Sequence, residues 1–249
     1  MISLAARARG LTEGGACADL GFQTLEITLP CPGGPEEEAG WAAMASTRGL
    51  TLLAHGPQEG NPFDIEHLEN EYLPALERGL EAAARLKVPA MTVHFWLDSR
   101  WIKPPKVDPR AKIALLSRVA ERSTDLGVSV NLENLSEPWR DFQAPLAAIP
   151  GLGLTLDVGH GQLLADENEA PGIIDHWFDR LRHLHLHDNH GGRTAKDDLH
   201  LIPGRGRVPW DAILSRLKAR NYRGTATLEL QPLEMEAGRR FVTAVWERV

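Results

Sequence analysis

The sequence predicts an α/β protein of the (β/α)8, or TIM-barrel, class, and three observations predict it. Short β-rich runs alternate with helical patterns along the whole chain, in about eight repeats. No linker, low-complexity tract or charge block interrupts them. The length of 249 residues, 43% of them hydrophobic, sits at the ~250-residue norm for such a barrel and is enough for a large core. Residues 1–249 are therefore expected to form a single domain. A doubly wound sheet is the alternative, but it usually announces itself with a glycine-rich first turn. ITLPCPGG at residues 27–34 is not the dinucleotide fingerprint.

Taken in order, the expected strands are Ile2–Ala5, Thr24–Thr28, Thr51–Ala54, Ala90–Val93, Ser129–Leu132, Gly153–Leu156, Arg182–Leu186 and Thr225–Glu229. Between the third and fourth, Leu73, Leu76, Leu80 and Ala83 form one apolar stripe and predict a helix over Tyr72–Leu86. Asp108 and Pro109 supply an N-cap and a first-turn proline for a helix that should run to Leu126 and stop at Gly127. Pro209 opens another, through Leu217.

Composition excludes several function classes. MISLAARARG is too basic and too short of apolar residues for a signal peptide, and no run approaches a membrane span, so a soluble, cytoplasmic protein is expected. Cys17 and Cys31 form neither a metal spacing nor a disulfide framework. A formal net charge of −7 argues against nucleic acid as a partner.

The chemistry concentrates in LRHLHLHDNHGGRTAKDDLHLIPGRG, residues 181–206. His183, His185 and His187 recur at every second position, which in an extended segment puts them on one side. Buried imidazoles need hydrogen-bond partners or a metal; the alternative is a solvated, polar-faced edge strand. Asp188, Asp198 and His200 follow, and carboxylates with imidazoles on one loop are the materials of a divalent-metal site.

In a barrel, function sits at the C-terminal ends of the strands. There the chain offers Glu26 in LEIT, His55 in LLAHG, His94 in TVHF, Glu133 in NLEN, Asp157 and His160 in LDVGH, His185 in HLHD and Glu229 in LEL, with Asp198 and His200 from the long loop. Any one of these alone is more simply a core or capping residue. Together they would only repel and desolvate one another in a protein without a ligand at that mouth.

NLEN, LDVGH, RHLHLHD with the downstream DLHLIPGRG, and LEL, in this order, resemble the xylose isomerase-like barrel superfamily over essentially the whole chain. That superfamily includes metal-dependent sugar and sugar-phosphate isomerases and epimerases and the endonuclease IV type apurinic-site endonucleases. In its epimerase-like members, the resemblance implies a single metal held by Glu133, Asp157, His185 and Glu229. Glu133 and Glu229 are implied as the acid and base that move a proton through a cis-enediolate. The endonuclease branch uses a larger set, which His55, His94, His160, Asp198 and His200 match. Those five are candidates for further metal or substrate binding.

The residues thus imply a divalent ion, Mn, Co or Mg with the four-residue set, Zn with the histidine-rich one. The partner expected is a small sugar, with a homo-oligomer as the default assembly. Against phosphodiester hydrolysis, the loop at 56–67 has no tyrosine or arginine to wedge into a duplex. A dehydratase using the same enediolate and a non-catalytic sugar receptor are the remaining alternatives. The receptor would be expected to lack one of the four ligands.

Glu26, His187, Arg205 and Trp96 are expected to bind substrate, and His187 or His200 to share the proton transfer. Arg205 stands where glutamate is common in this family's Gly-x-Gly loop, and an arginine there either grips a phosphate or carboxylate or is a surface residue. FWLDSRWIKPPK, with Phe95, Trp96, Arg100, Trp101, Lys103 and Lys106, is long enough to be a lid. Its tryptophans either stack on a sugar or pin the loop to the rim. Trp139 and Trp210 are read as structural.

Overall fold

Parallel strands close into a barrel in sequence order, β1 through β8, in the computed structural model, which describes residues 2–98, 100 and 108–249. They are β1 Ser3–Ala8, β2 Thr24–Thr28, β3 Thr51–His55, β4 Ala90–Val93, β5 Ser129–Glu133, β6 Gly153–Asp157, β7 Leu181–Leu186 and β8 Thr225–Leu228. Closure is made by β8 on β1, in the register Ser3↔Thr225 to Ala6↔Leu228. This is the (β/α)8 architecture, and it excludes the doubly wound sheet. Among the described residues it leaves no edge strand, so the reading of residues 182–186 as a solvated edge does not hold.

Alternation along each strand sorts side chains between two interiors. Leu25, Ile27, Leu154, Leu156, Leu184, Leu186 and Leu228 belong to one buried cluster with helix residues such as Leu80 and Leu116. The lumen takes the other set. Thr92 Oγ1 lies 2.8 Å from Thr155 Oγ1 across it, and His183 Nδ1 lies 2.6 Å from Thr225 Oγ1.

β3, β5 and β6 each run one residue further than the sequence suggests, to His55, Glu133 and Asp157. Those polar side chains therefore occupy the last inward rung. β1 extends to Ala8, well past Ala5, because the lumen accepts Arg7. Its guanidinium donates to the Glu26 carbonyl at 3.2 Å and to Thr28 Oγ1 at 2.8 Å.

The helix expected over Tyr72–Leu86 is Leu73–Arg85, and its stripe of Leu73, Leu76, Leu80 and Ala83 is buried. Ahead of it lie a helical turn, Ile65–His67, capped by the Asp64 side chain, and a wider π turn, Leu68–Tyr72. These carry the Tyr72 hydroxyl to the His94 carbonyl, 2.6 Å away. Pro109–Leu126 starts with Asp108 accepting from the Arg110 N–H at 2.9 Å and stops at Gly127, whose φ of 69° suits glycine. The helix after Pro209 is Trp210–Ala219. Cys17 and Cys31 are buried and unbonded to each other. No described helix is long and apolar enough to cross a membrane.

Candidate metal centre

Neighbouring strand ends hold the polar rung in place. Asn134, one residue past β5, donates its side-chain amide to the Asp157 carbonyl and accepts from the Asp157 N–H, both at 2.8 Å. The ends of β5 and β6 are thereby locked together. Asp157 Oδ1 accepts from the His160 N–H at 2.7 Å, which fixes the turn that follows β6. On the long loop after β7, Asn189 Nδ2 lies 3.1 Å from Asp198 Oδ1 and its Oδ1 accepts from the Leu199 N–H at 2.6 Å. His200 has a φ of 47°, a left-handed backbone that is uncommon without a reason to hold it.

Glu133 is the hub. Its Oε2 lies 2.9 Å from His94 Nε2 and 3.3 Å from His55 Nε2. Its Oε1 lies 2.9 Å from His185 Nδ1 and 3.4 Å from His160 Nδ1. Glu229 faces the same space, with Oε1 3.7 Å from His185 Nδ1 and Oε2 3.6 Å from His200 Nδ1. Asp157 oxygens lie 2.9 and 3.0 Å from His187 Nε2. Asp198 Oδ2 sits between His160 Nε2 at 3.3 Å and His200 Nε2 at 3.1 Å.

Burial on its own would neutralise these groups, and mutual attraction overrides it. Burial pushes Glu133 up, but the charges of His185 and His94 hold its carboxyl well below the usual range. Glu229 is likewise pulled down to about 2, against burial, chiefly by His185 and despite the repulsion of Glu133. His185 is held well above the ordinary imidazole value: burial opposes its charge, and Glu133, Glu26 and Glu229 outweigh burial. His200 rises to about 9, against burial, through its bond to Asp198 and the charge of Glu229. Imidazolium protons thus stand where a cation would neutralise the carboxylates.

The donor set fits a divalent cation. Glu133, Asp157, His185 and Glu229 each bring one ligand atom within 4.8 Å of the others, and so do His55, His94 and Glu133. Two further groups on the same criterion are Glu26, His55, His185 and Glu229, and His160, His187, Asp198 and His200. Buried carboxylate oxygens with imidazole nitrogens are ordinary ligands of divalent ions. His187 Nδ1 adds a buried nitrogen without a hydrogen-bond partner among the described residues.

Some sequence expectations place differently. Glu26, expected to bind substrate, is fully buried one layer below His55, because Thr28 is the β2 residue that pairs with His55. Its carboxylate lies 2.9 Å from His183 Nε2 and 3.0 Å from His185 Nε2 and accepts from Thr227 Oγ1 at 2.5 Å. It orients His185 from beneath, and one of its oxygens also lies within 4.8 Å of ligand atoms of His55, His185 and Glu229.

Asp188, grouped with the metal-site materials in the sequence, serves the loop instead. Its carboxylate accepts from the N–H groups of Gly204, at 2.8 Å, and Val208, at 3.0 Å, and from Trp210 Nε1, at 2.8 Å. Arg205 is exposed and makes no ion pair or side-chain hydrogen bond with the cluster among the described residues.

Trp96 is half-buried, with Nε1 donating to Ser136 Oγ at 2.8 Å, and it lines a cavity shared with His160 and Asp198. Arg100 bonds Asp98 at 2.6 Å and the Leu164 carbonyl at 2.7 Å, tying its segment to the loop after β6. Trp101, Lys103 and Lys106 of the expected lid lie outside the described residues. Trp210 is structural as read, through Asp188, and Trp139 stacks on His176 with ring centres 3.5 Å apart.

The sequence reading missed Arg7, whose Nε lies 3.7 Å from Glu229 Oε1, and Glu59, whose Oε2 accepts from the Trp96 N–H at 2.9 Å. A single arginine at an inward position among alanines was the available signal for the first. Glu59 stands in an irregular loop, where no periodicity marks an inward residue.

A family model described as xylose isomerase-like TIM barrel matches residues 15–244. The chain belongs to that family. Within it, a fructoselysine 3-epimerase of Shigella flexneri is 25% identical over 250 aligned positions, covering 93% of this chain and 88% of the relative. A crystal structure of a D-tagatose 3-epimerase-like protein superposes with a TM-score of 0.85 at 20% identity, covering 100% of this chain and 98% of that one. A Thermus thermophilus protein soaked with ZnCl2 superposes with a TM-score of 0.74 at 24% identity, covering 100% of this chain and 99% of that one.

Proposed function

We propose that this enzyme, of the sugar isomerase and epimerase type like its named relatives, is a divalent-metal-dependent epimerase of a sugar or sugar derivative. The observation that carries the reading is the convergence of Glu133, Asp157, His185 and Glu229 within 4.8 Å at the mouth of the barrel. These are the residues that would hold the ion. Once bound, it would supply Lewis acidity to a hydroxy-carbonyl group and acidify the carbon proton beside it.

The chain's own residues supply the rest. Glu133 ends β5 and Glu229 follows β8, so two carboxylates from separate parts of the ring face one space. A proton removed by one and returned by the other inverts a carbon, which is epimerisation; one group acting twice on neighbouring carbons would give isomerisation. His94 and His55 hold one Glu133 oxygen, and Arg7 and His200 flank Glu229, so both carboxylates are oriented before substrate arrives. Glu26 fixes His185 with Nδ1 towards the carboxylates and Nε2 towards itself. A sugar as substrate, and zinc as one candidate ion beside Mn, Co and Mg, gain support from the relatives' names and from the fold neighbour soaked with ZnCl2.

The test is the carbon-bound proton. Metal-loaded protein in deuterated water, offered ketoses and their phosphates, should place deuterium at the carbon it inverts, and Glu229→Gln should no longer invert that carbon. Epimerisation without exchange, or retained epimerisation in Glu229→Gln, sinks the mechanism.

A second reading, metal-assisted phosphodiester hydrolysis, is favoured by the His55–His94–Glu133 group and by the His160–His187–Asp198–His200 group beside the first. Metal content separates the two. One ion per chain, lost in Asp157→Asn, supports the epimerase; two or three zinc ions that need His55 and His94, with cleavage of an abasic-site oligonucleotide, support the hydrolase.

A further inference from the structure

Two kinds of cationic group face the carboxylates of the cluster. Most are imidazoles, which can lose a proton as an ion arrives and then act as neutral ligands. Arg7 is the other kind. Among the described residues it is the one arginine or lysine whose side chain forms an ion pair with a carboxylate of the cluster, through Nε at 3.7 Å from Glu229 Oε1. A guanidinium offers no lone pair and does not give up its proton, so its charge stays whether or not an ion is bound.

The lumen holds that charge in place. Arg7 is the register partner of Glu26, points inward with it and is only 9% exposed. Its terminal nitrogens are tied to β2, Nη1 to the Glu26 carbonyl at 3.2 Å and Nη2 to Thr28 Oγ1 at 2.8 Å. Glu229 follows β8, on the other side of β1. The 3.7 Å that separates the pair is too long for a hydrogen bond, so what Arg7 brings to Glu229 is charge. The same oxygen, Oε1, lies 3.7 Å from His185 Nδ1, among the four groups that would hold the ion. Glu229 is 6% exposed, and at that depth salt screens the repulsion between a guanidinium and a divalent cation only weakly.

We infer that Arg7 is a resident counter-charge that sets the metal affinity of the site: it competes with the ion for Glu229, so the ion binds more weakly and exchanges faster than the same ligands would allow without it. The inference rests on the reading of Glu133, Asp157, His185 and Glu229 as a metal centre and is independent of the substrate. It gives Arg7 the opposite sign to Glu26. The carboxylate beneath His185 strengthens the hold on an ion, and the guanidinium beside Glu229 loosens it.

The experiment titrates the full, metal-stripped chain with Mn, Co and Zn in competition with a chelator, and follows the loss of each ion to excess chelator. Arg7→Gln removes the charge and keeps a hydrogen-bonding side chain. It should bind each ion about tenfold or more tightly than wild type and release it correspondingly more slowly. Arg7→Met, also uncharged and of similar length, should repeat that result and takes its place if the glutamine variant does not fold. Arg7→Lys keeps the charge and should stay within about threefold of wild type. Structural damage alone would weaken binding, so a gain separates charge from packing. Unchanged or weaker binding in the uncharged variants overturns the inference, as does an equal gain in Arg7→Lys, or failure of both uncharged variants to fold with metal present. Wild type reports separately on the metal centre. No ion bound by any of the chains sinks that reading and the inference with it, whereas an ion bound without the gain sinks the inference alone.

Discussion

β7 has two faces. Leu184 and Leu186 point outward to the helices and His183 and His185 point into the lumen, and their exposures are 0, 0, 4 and 0%. Dryness therefore does not distinguish them. The leucines are held by contact alone and need no particular partner. Each imidazole needs named ones: His183 has Thr225, Thr227 and Glu26, and His185 has Glu26 below and Glu133 beside it. The outward face contributes stability that any well-packed apolar face would give. The inward face spends burial on charges that would be better off in water unless something else binds there.

The largest expected effect on the inward side is in turnover. Glu229→Gln removes a carboxylate and keeps the shape, and should lower the proposed epimerisation by about 10²–10⁴-fold, with a lower melting temperature as well because the charge facing His185 is lost. Steady-state rates beside a thermal melt read both. A rate near wild type would erase the functional contrast between the two faces at this position.

On the outward side, Leu184→Ala should destabilise the fold by about 2–5 kcal/mol in urea denaturation while leaving metal content per folded chain as it was. Loss of metal in step with stability would mean that the two faces are coupled more tightly than their contacts suggest. Glu26→Gln lies between the extremes. It keeps a hydrogen-bonding side chain beneath His185 but removes the charge, so metal affinity in a chelator competition should fall about 10–100-fold. A change smaller than twofold would make Glu26 packing rather than support.

The same contrast explains how much was legible in the sequence. Outward residues repeat, so alternation and the Leu73–Leu76–Leu80–Ala83 stripe marked strands and helices to within a residue or so at most ends. β1 was the exception, since an alanine–arginine alternation does not read as β and only the closed lumen makes a use for Arg7. Polar residues at strand ends announced the mouth because a core has no other need for them.

What the linear pattern could not give was depth. Glu26 and His55 each stand near a strand's end in the sequence, yet the parallel register puts Glu26 one layer lower. Nor could it separate Asp188 from Asp198, ten residues apart on one loop: the first accepts backbone and indole donors, the second two imidazoles. Turn geometry decides that, and turns carry no period.

Titration should divide the faces with the smallest effect but the clearest sign. In the metal-free protein, His200 has a pKa of about 9 against an ordinary 6.5, so the stability it contributes is full below 6.5 and fades as pH rises through 9. Glu229, at about 2 against an ordinary 4.5, contributes fully above 4.5 and loses that contribution as pH falls through 2. Stability of the metal-free protein should therefore decline on both flanks. Leu184→Ala, which carries no titrating group, should lower the whole curve without changing its shape.

Metal binding should run the other way on the alkaline side. An ion held by Glu133, Asp157, His185 and Glu229 must displace the proton that His185 holds and disfavours the one on His200 beside Glu229, so affinity should climb from about pH 6 to pH 9 with protons released on binding. Calorimetry in buffers of different ionisation enthalpy counts those protons. An affinity flat across that range would mean that the imidazoles of the inward face do not meet the metal.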